Sequence, residues 1–358
     1  MKALGSISKW FYYIALLPIV LGVSLWQGWA WWSWAQAPPD LDSSPNSEVE
    51  KAVQIEIPPG TAAQQIGQDL EAAGLIRSYN AWKLWTHWMN LQDRQGGFKA
   101  GTYQISPTQS LPEIADKIWT GQVMQLTFTI PEGWSLQQMA TYFESLGYFN
   151  AQEFTRAASQ IPSDQFPWLP DDLPHLEGYL FPDTYQLPSD RVTPQLVIQQ
   201  MLQRFEQAAL PLYQQAKDQT DLSLSEWVTF SSIVEKEAVI AEERPLIAGV
   251  FAQRRKRGMR LETDPTVEYG LGIRQTADQP LTYEQVRTPS PYNTYLNPGL
   301  PPTPIASPGL ASLKATLNPE STDYLFFVAR YDGSHVFSKT LAEHEASKRD
   351  IRQQRQSQ

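Results

Sequence analysis

Apolar residues are laid out along this chain in two periods and one unbroken run. The run is WFYYIALLPIVLGVSLWQGWAWWSW, Trp10 to Trp34, 25 residues without a charge. A period of two appears at Val53, Ile55 and Ile57, and again at Leu126, Phe128 and Ile130, as in half-buried strands. A helical period follows each. IPPGTAAQQIGQDLEAAGLI (57–76) and IPEGWSLQQMATYFESLGYF (130–149) align without gaps and share Ile, Pro, Gly, two Gln, Glu and Gly. Each copy predicts a strand, a Pro-x-Gly turn and an amphipathic helix that stops at Gly74 or Gly147.

Further elements follow from the same patterns. GTYQIS (101–106) predicts a strand, and LPEIADKIWTG (111–121) a helix capped by Ser110. SLSEWVTFSSIVEKEA (223–238) predicts a helix with Ser225 as N-cap and Glu226 in its first turn. RRKRG (254–258) fits a helix end, where cations suit the dipole. YLFFVA (324–329), a turn at Asp332-Gly333, and HVFS (335–338) predict a hairpin, before a helix from about Leu341 and a Gln/Arg-rich tail.

The uncharged run is long enough to span a bilayer. Lys2 and Lys9 precede it, and Asp40 and Asp42 are the first charges after it, so the N-terminus is expected in the cytoplasm. Trp26, Trp29, Trp31, Trp32 and Trp34 crowd the far end like an interfacial belt. A cleaved signal peptide is the competing reading; Pro38 just after the small-x-small Ala35-Gln36-Ala37 disfavours it. APPDLDSSPNSE (37–48) then reads as a polar linker.

Composition removes several function classes. A net charge of −10 argues against nucleic acid as a partner. No cysteine is present, which excludes thiolate catalysis and Cys-ligated zinc. The four histidines (87, 175, 335 and 344) lack metal-ligand spacing, so neither a metal nor a cofactor is expected.

Candidate chemistry centres on two glutamates. In the 223–238 helix, Trp227, Phe230, Ile233, Val234 and Ala238 form an apolar arc, and Lys236 is expected opposite it, in solvent. Glu235 and Glu237 fall on opposite flanks, so they do not face each other as the paired carboxyls of one glycosidase site. Small Ser231 and Ser232 beside Glu235 are expected to leave room for substrate, whereas Phe230 and Ile233 beside Glu237 suggest packing. The pattern favours Glu235 as a partly desolvated general acid. Its bland alternative is a structural carboxylate paired with an arginine such as Arg244. HLEGYLFPDTYQLP (175–188), LETDPTVEYGLG (261–272) and RTPSPYNTYLNPGLPPTPIASPG (287–309) supply the aromatic faces, amides and hydroxyls that bind sugars.

The motifs IVEKE, TDPTV-x-YG, SPYNTY, GLPPTPI and EGYLFPDTY resemble those of the endolytic murein transglycosylases, the YceG-like family, from about Val53 to His344. Two positions depart from the family's pattern: Ser307 precedes Pro308-Gly309 where Asn is frequent, and Glu345 ends EHE where Asn is common. The resemblance implies a periplasmic-side enzyme that cuts peptidoglycan strands internally near the membrane, with Glu235, first of the EKE triplet, as its acid. It also implies substrate contacts from Asp264, Thr266, Tyr292, Asn293 and Thr294, with Glu177, Asp183 and Glu237 as further substrate-side candidates. Cell-wall synthesis enzymes are partners implied by the same resemblance.

The architecture expected is α+β: a cytoplasmic tail (1–9), a single transmembrane helix (10–34), a linker (35–51), a LysM-like α/β subdomain (52–125), a mixed α+β catalytic domain (126–346) and a polar tail (347–358). The location expected is the cell inner (plasma) membrane, with the catalytic domain periplasmic. Cleavage between N-acetylmuramic acid and N-acetylglucosamine, leaving 1,6-anhydro ends, needs one acid/base and no water. A lysozyme-like hydrolase, with Asp264 as the second carboxylate, is the alternative enzyme. A non-catalytic glycan-binding scaffold is the alternative outside enzymes.

Overall fold

The computed structural model describes residue 13 and residues 16–40, 51–93, 96–189, 192–276, 279–330 and 332–356. The chain forms two units, Met1–Leu126 with Gln186–Arg191, and Thr127–Tyr185 with Val192–Gln358. Both mix helices with two-stranded antiparallel pairs.

In the first unit, helix α1 (Leu17–Gln36) is followed by β1 (Val53–Ile57), α2 (Ala63–Ala72), α3 (Tyr79–Gln92), β2 (Gly101–Ile105) and α4 (Leu111–Thr120). β1 pairs antiparallel with β2, Val53 opposite Ile105 and Ile57 opposite Gly101. The two helices between the strands pack through Gly67, where a Cβ would stand 2.2 Å from the Trp82 ring. Trp82 Nε1 donates to Ala63 O at 2.7 Å, so the buried indole loses no hydrogen bond. α4 starts at Ser110, whose side chain forms a reciprocal capping box with Glu113.

Along α1, Ile19, Val20, Leu21, Leu25, Trp26 and Trp29 are exposed. Its last turn behaves differently. Ala35 is buried in the core of the unit, and Trp32 packs on Trp85 with ring centroids 6.3 Å apart. Asp40 N–H donates to Pro107 O at 3.0 Å. Residues 35–40, expected as free linker, therefore lie against this unit; 41–50 are outside the described residues. Among the described residues, no helix is long and apolar enough to cross a membrane. Most of the start of the expected 10–34 span (10–12, 14 and 15), Lys2, Lys9 and Asp42 lie outside the described residues.

The second unit contains α5 (Leu136–Ser145), α6 (Ala151–Ala158), α7 (Pro194–Ala208), α8 (Leu210–Ala216), α9 (Leu224–Glu237), α10 (Arg244–Lys256), α11 (Asp264–Leu271), α12 (Tyr283–Arg287), α13 (Leu310–Leu317) and α14 (Leu341–Gln356). The strands β3 (Gln125–Thr129) and β4 (Thr184–Pro188) pair, and β5 (Phe326–Ala329) forms a hairpin with β6 (His335–Ser338). The second copy of the repeat gives β3 and α5, as its periods predict, and Gly147 follows α5 in the left-handed region.

Helix α9 runs through the core. Every residue from Trp227 to Val234 is buried, and Trp227 Nε1 donates to Leu313 O on α13 at 3.0 Å. Two expectations about α9 change. Its N-cap is Ser223, in a capping box with Glu226, and Ser225 is the second residue of the helix. Ser231 and Ser232 leave no room for substrate: Ser231 Oγ bonds Thr316 Oγ1 at 2.6 Å, and Ser232 Oγ accepts Ile305 N–H at 3.0 Å. The helix is buried on more faces than an apolar count shows because hydroxyls meet partners inside.

Candidate active site

Five acids of the second unit, Glu132, Glu235, Glu237, Asp264 and Glu268, gather around the last turn of α9. Glu235 and Glu237 leave that turn on opposite flanks, as helical spacing requires. Lys236, between them, is only half-exposed rather than in open solvent. Its ammonium donates to Gly133 O at 3.3 Å, and burial pulls its pKa below the usual lysine value.

The Glu235 side chain is 8% exposed. Its Oε2 accepts the Gly309 N–H at 3.0 Å, at the N-terminus of α13. Oε1 lies 3.8 Å from Arg244 Nη2, at the start of α10. The arginine partner anticipated by the bland reading is thus present. A third charge closes the cluster. Glu132, in the Pro131-Glu132-Gly133 turn before α5, lies with its carboxyl against Gly309, where an added Cβ would stand 2.0 Å from it. Burial, and then the neighbouring Glu235, push the Glu132 carboxyl above its ordinary value. Gly133 holds φ +75°, a conformation that favours glycine, and its N–H donates to Ser307 O at 2.8 Å. Ser307 N–H returns a bond to Trp134 O at 2.8 Å, which fixes the turn beside α13.

Glu237 faces the other way, toward α11. Burial pushes its carboxyl up to about 7, and Asp264 and Glu268 add to the effect. Asp264, first residue of α11, accepts Tyr295 Oη–H at 2.7 Å. Glu237, Asp264 and Tyr295 line a cavity of about 620 Å³.

A second cavity, of about 730 Å³, is lined by Glu177, Tyr269, Tyr292, Lys236, Gln138 and His175 among others. Glu177 is 1% exposed, and burial pushes it to about 7. Leu136 N–H at the start of α5 donates to its carboxylate at 3.1 Å, and Tyr269 Oη–H donates at 3.0 Å. Lys236 borders both cavities; Glu235 borders neither.

The model of the YceG-like family matches residues 55–350. The chain belongs to the YceG-like family. It is 33% identical over 316 residues to a Bacillus subtilis protein named endolytic murein transglycosylase, covering 84% of this chain and 85% of that one. A Streptococcus pneumoniae protein of the same name is 31% identical over 338 residues, covering 85% of this chain and 60% of that one. The crystal structure of a YceG-like protein from Listeria monocytogenes matches with a TM-score of 0.57 at 32% identity, covering 82% of this chain and 98% of that one.

In this YceG-like chain the sequence candidates fall into three groups. Glu177 and Tyr292 line the larger cavity, and Glu237 and Asp264 the smaller. Thr266, Asn293 and Thr294 are buried with internal partners: Thr266 Oγ1 bonds Thr294 Oγ1 at 2.8 Å, and the Asn293 amide donates to Val286 O and Thr288 O, both at 2.9 Å. They fix the backbone on which Asp264, Tyr292 and Tyr295 stand. Asp183 pairs with Arg204 and borders neither of the two cavities. Glu132 was missed by sequence reasoning. The signal was present: the first copy of the repeat has Pro59 at the x of Pro-x-Gly, and the second has Glu132.

Proposed function

We propose that this protein is a membrane-anchored endolytic lytic transglycosylase that cleaves peptidoglycan glycan strands. The observation that carries the proposal is its kinship, along 84% of its length, with a protein named for that activity. The site's chemistry supports it. Glu235, protonated, gives its proton to the oxygen between N-acetylmuramic acid and N-acetylglucosamine. That C–O bond breaks with its electron pair on the leaving sugar. The Glu235 carboxylate then takes the proton of the muramyl primary hydroxyl, whose oxygen bonds the anomeric carbon. A 1,6-anhydro-muramyl end results, and Glu235 regains its proton with no water consumed. Arg244, beside Oε1, favours the carboxylate that exists between the two steps.

The larger cavity, whose wall includes Lys236 next to Glu235 in the chain, is the proposed glycan cleft, with Glu177 and Tyr292 on its wall and amide and hydroxyl side chains for the sugar; the scissile bond is proposed to lie at its edge toward Glu235. Asp264 and Glu237 are proposed to contact substrate from the smaller cavity. Thr266, Asn293 and Thr294 are proposed to shape these walls, with Asp183 holding the start of β4. The β-α-α-β arrangement of the first unit supports a LysM-like glycan-binding role for residues 52–125. A cavity of about 450 Å³ between α2 and α3, lined by Gln64, Asn80, Trp82 and Asn90, suits an N-acetylated sugar. Residues 10–34 are proposed as a plasma-membrane anchor with the catalytic unit outside; the exposed apolar side chains of α1 support that placement. Association with wall-synthesis enzymes is proposed on kinship alone.

A second reading makes Glu237 the acid. Its carboxyl is pushed to about 7 and faces a cavity with a second carboxylate, Asp264, nearby.

The reaction type is tested by incubating the full chain, in detergent, with intact glycan strands and reading new ends by mass spectrometry. Anhydro-muramyl ends are expected. Reducing ends would mean hydrolysis and would overturn the proposal.

A further inference from the structure

Both copies of the repeat build a Pro-x-Gly turn, but only the second carries a carboxyl, and that carboxyl lies beside Glu235. The two acids reach the same spot from different elements. Glu235 comes from α9 and accepts the Gly309 N–H. Glu132 comes from the turn before α5, lies against Gly309, and is hydrogen-bonded by the Leu310 N–H. Neither approach is accidental in the chain's own packing. The Glu132 turn is tied to 307 by two backbone bonds, and a Cβ at Gly133 would come within 3.6 Å of Glu235 Cγ. Gly309 is where the two meet: a side chain there would occupy the volume of the Glu132 carboxyl.

We propose that Glu132 is a positioning residue for the transglycosylase reaction, sharing one proton with Glu235 over the first turn of α13. This rests on the reading of Glu235 as the acid. The charged groups acting on Glu132 are Glu235 from α9 and Arg244 from α10, while Lys236 of α9 reaches the neighbouring Gly133; α13 offers backbone N–H groups. Arg244 and the helix terminus favour one carboxylate strongly. A second carboxylate at the same spot meets the first as a like charge, and that repulsion is relieved when one of the two carries a proton. The alkaline limit of activity is then a property of the pair. During the reaction the pair passes from one proton to none, when the glycosidic oxygen is protonated, and back to one when the primary hydroxyl is deprotonated. Glu132 touches no substrate in this scheme; it sets how readily Glu235 holds its proton.

The test is the pH profile of kcat/KM for glycan cleavage by the full chain in detergent, for wild type, Glu132→Gln, Glu132→Asp, Arg244→Gln and Glu235→Gln. Removing the like charge makes the Glu235 proton easier to lose. Glu132→Gln is therefore expected to move the alkaline limb to lower pH by about one unit. That means a roughly tenfold loss on the alkaline side, little loss at the acidic end, and an unchanged KM. Arg244→Gln is expected to move the limb the other way, and Glu132→Asp to keep it near wild type. Circular dichroism checks folding, and Gly309→Ala, which displaces the Glu132 carboxyl without removing it, should repeat the Glu132→Gln shift. An unmoved limb in Glu132→Gln, or an equal loss at every pH, would overturn the proposal if Glu235→Gln is inactive. A fully active Glu235→Gln would instead refute the underlying reading.

Discussion

Glu177 shows how far burial can alter a single acid. It is enclosed, its carboxylate is met by Leu136 N–H and Tyr269 Oη–H, and yet burial outweighs both bonds and holds it near 7. The folded protein therefore keeps a proton between the ordinary value of 4.5 and about 7 that the unfolded chain has released. Stability from this group is complete below about 4.5 and is lost as pH rises through 7, by about 3 kcal/mol in full. Glu177→Gln keeps an acceptor for Leu136 and removes the ionisation. Its unfolding free energy, measured in denaturant from pH 4 to pH 8, should fall less steeply than that of wild type. Glu237 titrates in the same window, so part of the slope should remain. A slope identical to wild type would contradict the burial of Glu177. The residue pattern identified Glu177 by motif but gave no sign of its burial, because its neighbours Leu136 and Tyr269 lie 41 and 92 positions away.

At the scale of elements, what was legible is what is local. The strands at 53, 101 and 326, the helix capped by Ser110 and the ends at Gly74 and Gly147 all depend on residues within a few positions of each other. The N-cap of α9 was misplaced by two residues because Ser223 and Ser225 are both good caps. The geometry that decides is Glu226 at the third helical position, which can answer Ser223 but not Ser225. Ser223→Ala should cost about 1 kcal/mol in denaturant unfolding, and Ser225→Ala much less. Equal costs would contradict the capping box. The faces of α9 were not legible. Ser231 and Ser232 read as room for substrate and Lys236 as solvent-facing, yet Thr316, Ile305 and Gly133, distant in sequence, supply their hydrogen bonds. For Glu132 the repeat marks the residue, but its neighbours appear only when the turn at 131–133 meets the N-terminus of α13.

At the scale of the whole molecule, the N-terminal helix carries two kinds of surface. Its exposed apolar side chains are those the proposed anchor would place in lipid, while Ala35 and Trp32 pack into the core of the first unit. A chain beginning at residue 48 should therefore leave the membrane fraction but lose roughly 2 kcal/mol from the first unit, read as a lowered unfolding midpoint. Full stability in that chain would contradict the packing of Trp32 on Trp85. The full chain should resist extraction by alkaline carbonate, and release by that wash would refute the anchor. The central claim concerns which carboxyl performs the cleavage, and the most direct measurement compares Glu235→Gln and Glu237→Gln with wild type, each as the full chain in detergent on intact glycan strands, counting anhydro-muramyl ends by mass spectrometry. The account predicts a loss of at least about a hundredfold in Glu235→Gln and a rate within about tenfold of wild type in Glu237→Gln. An active Glu235→Gln beside an inactive Glu237→Gln would contradict it and move the chemistry to the Asp264 cavity.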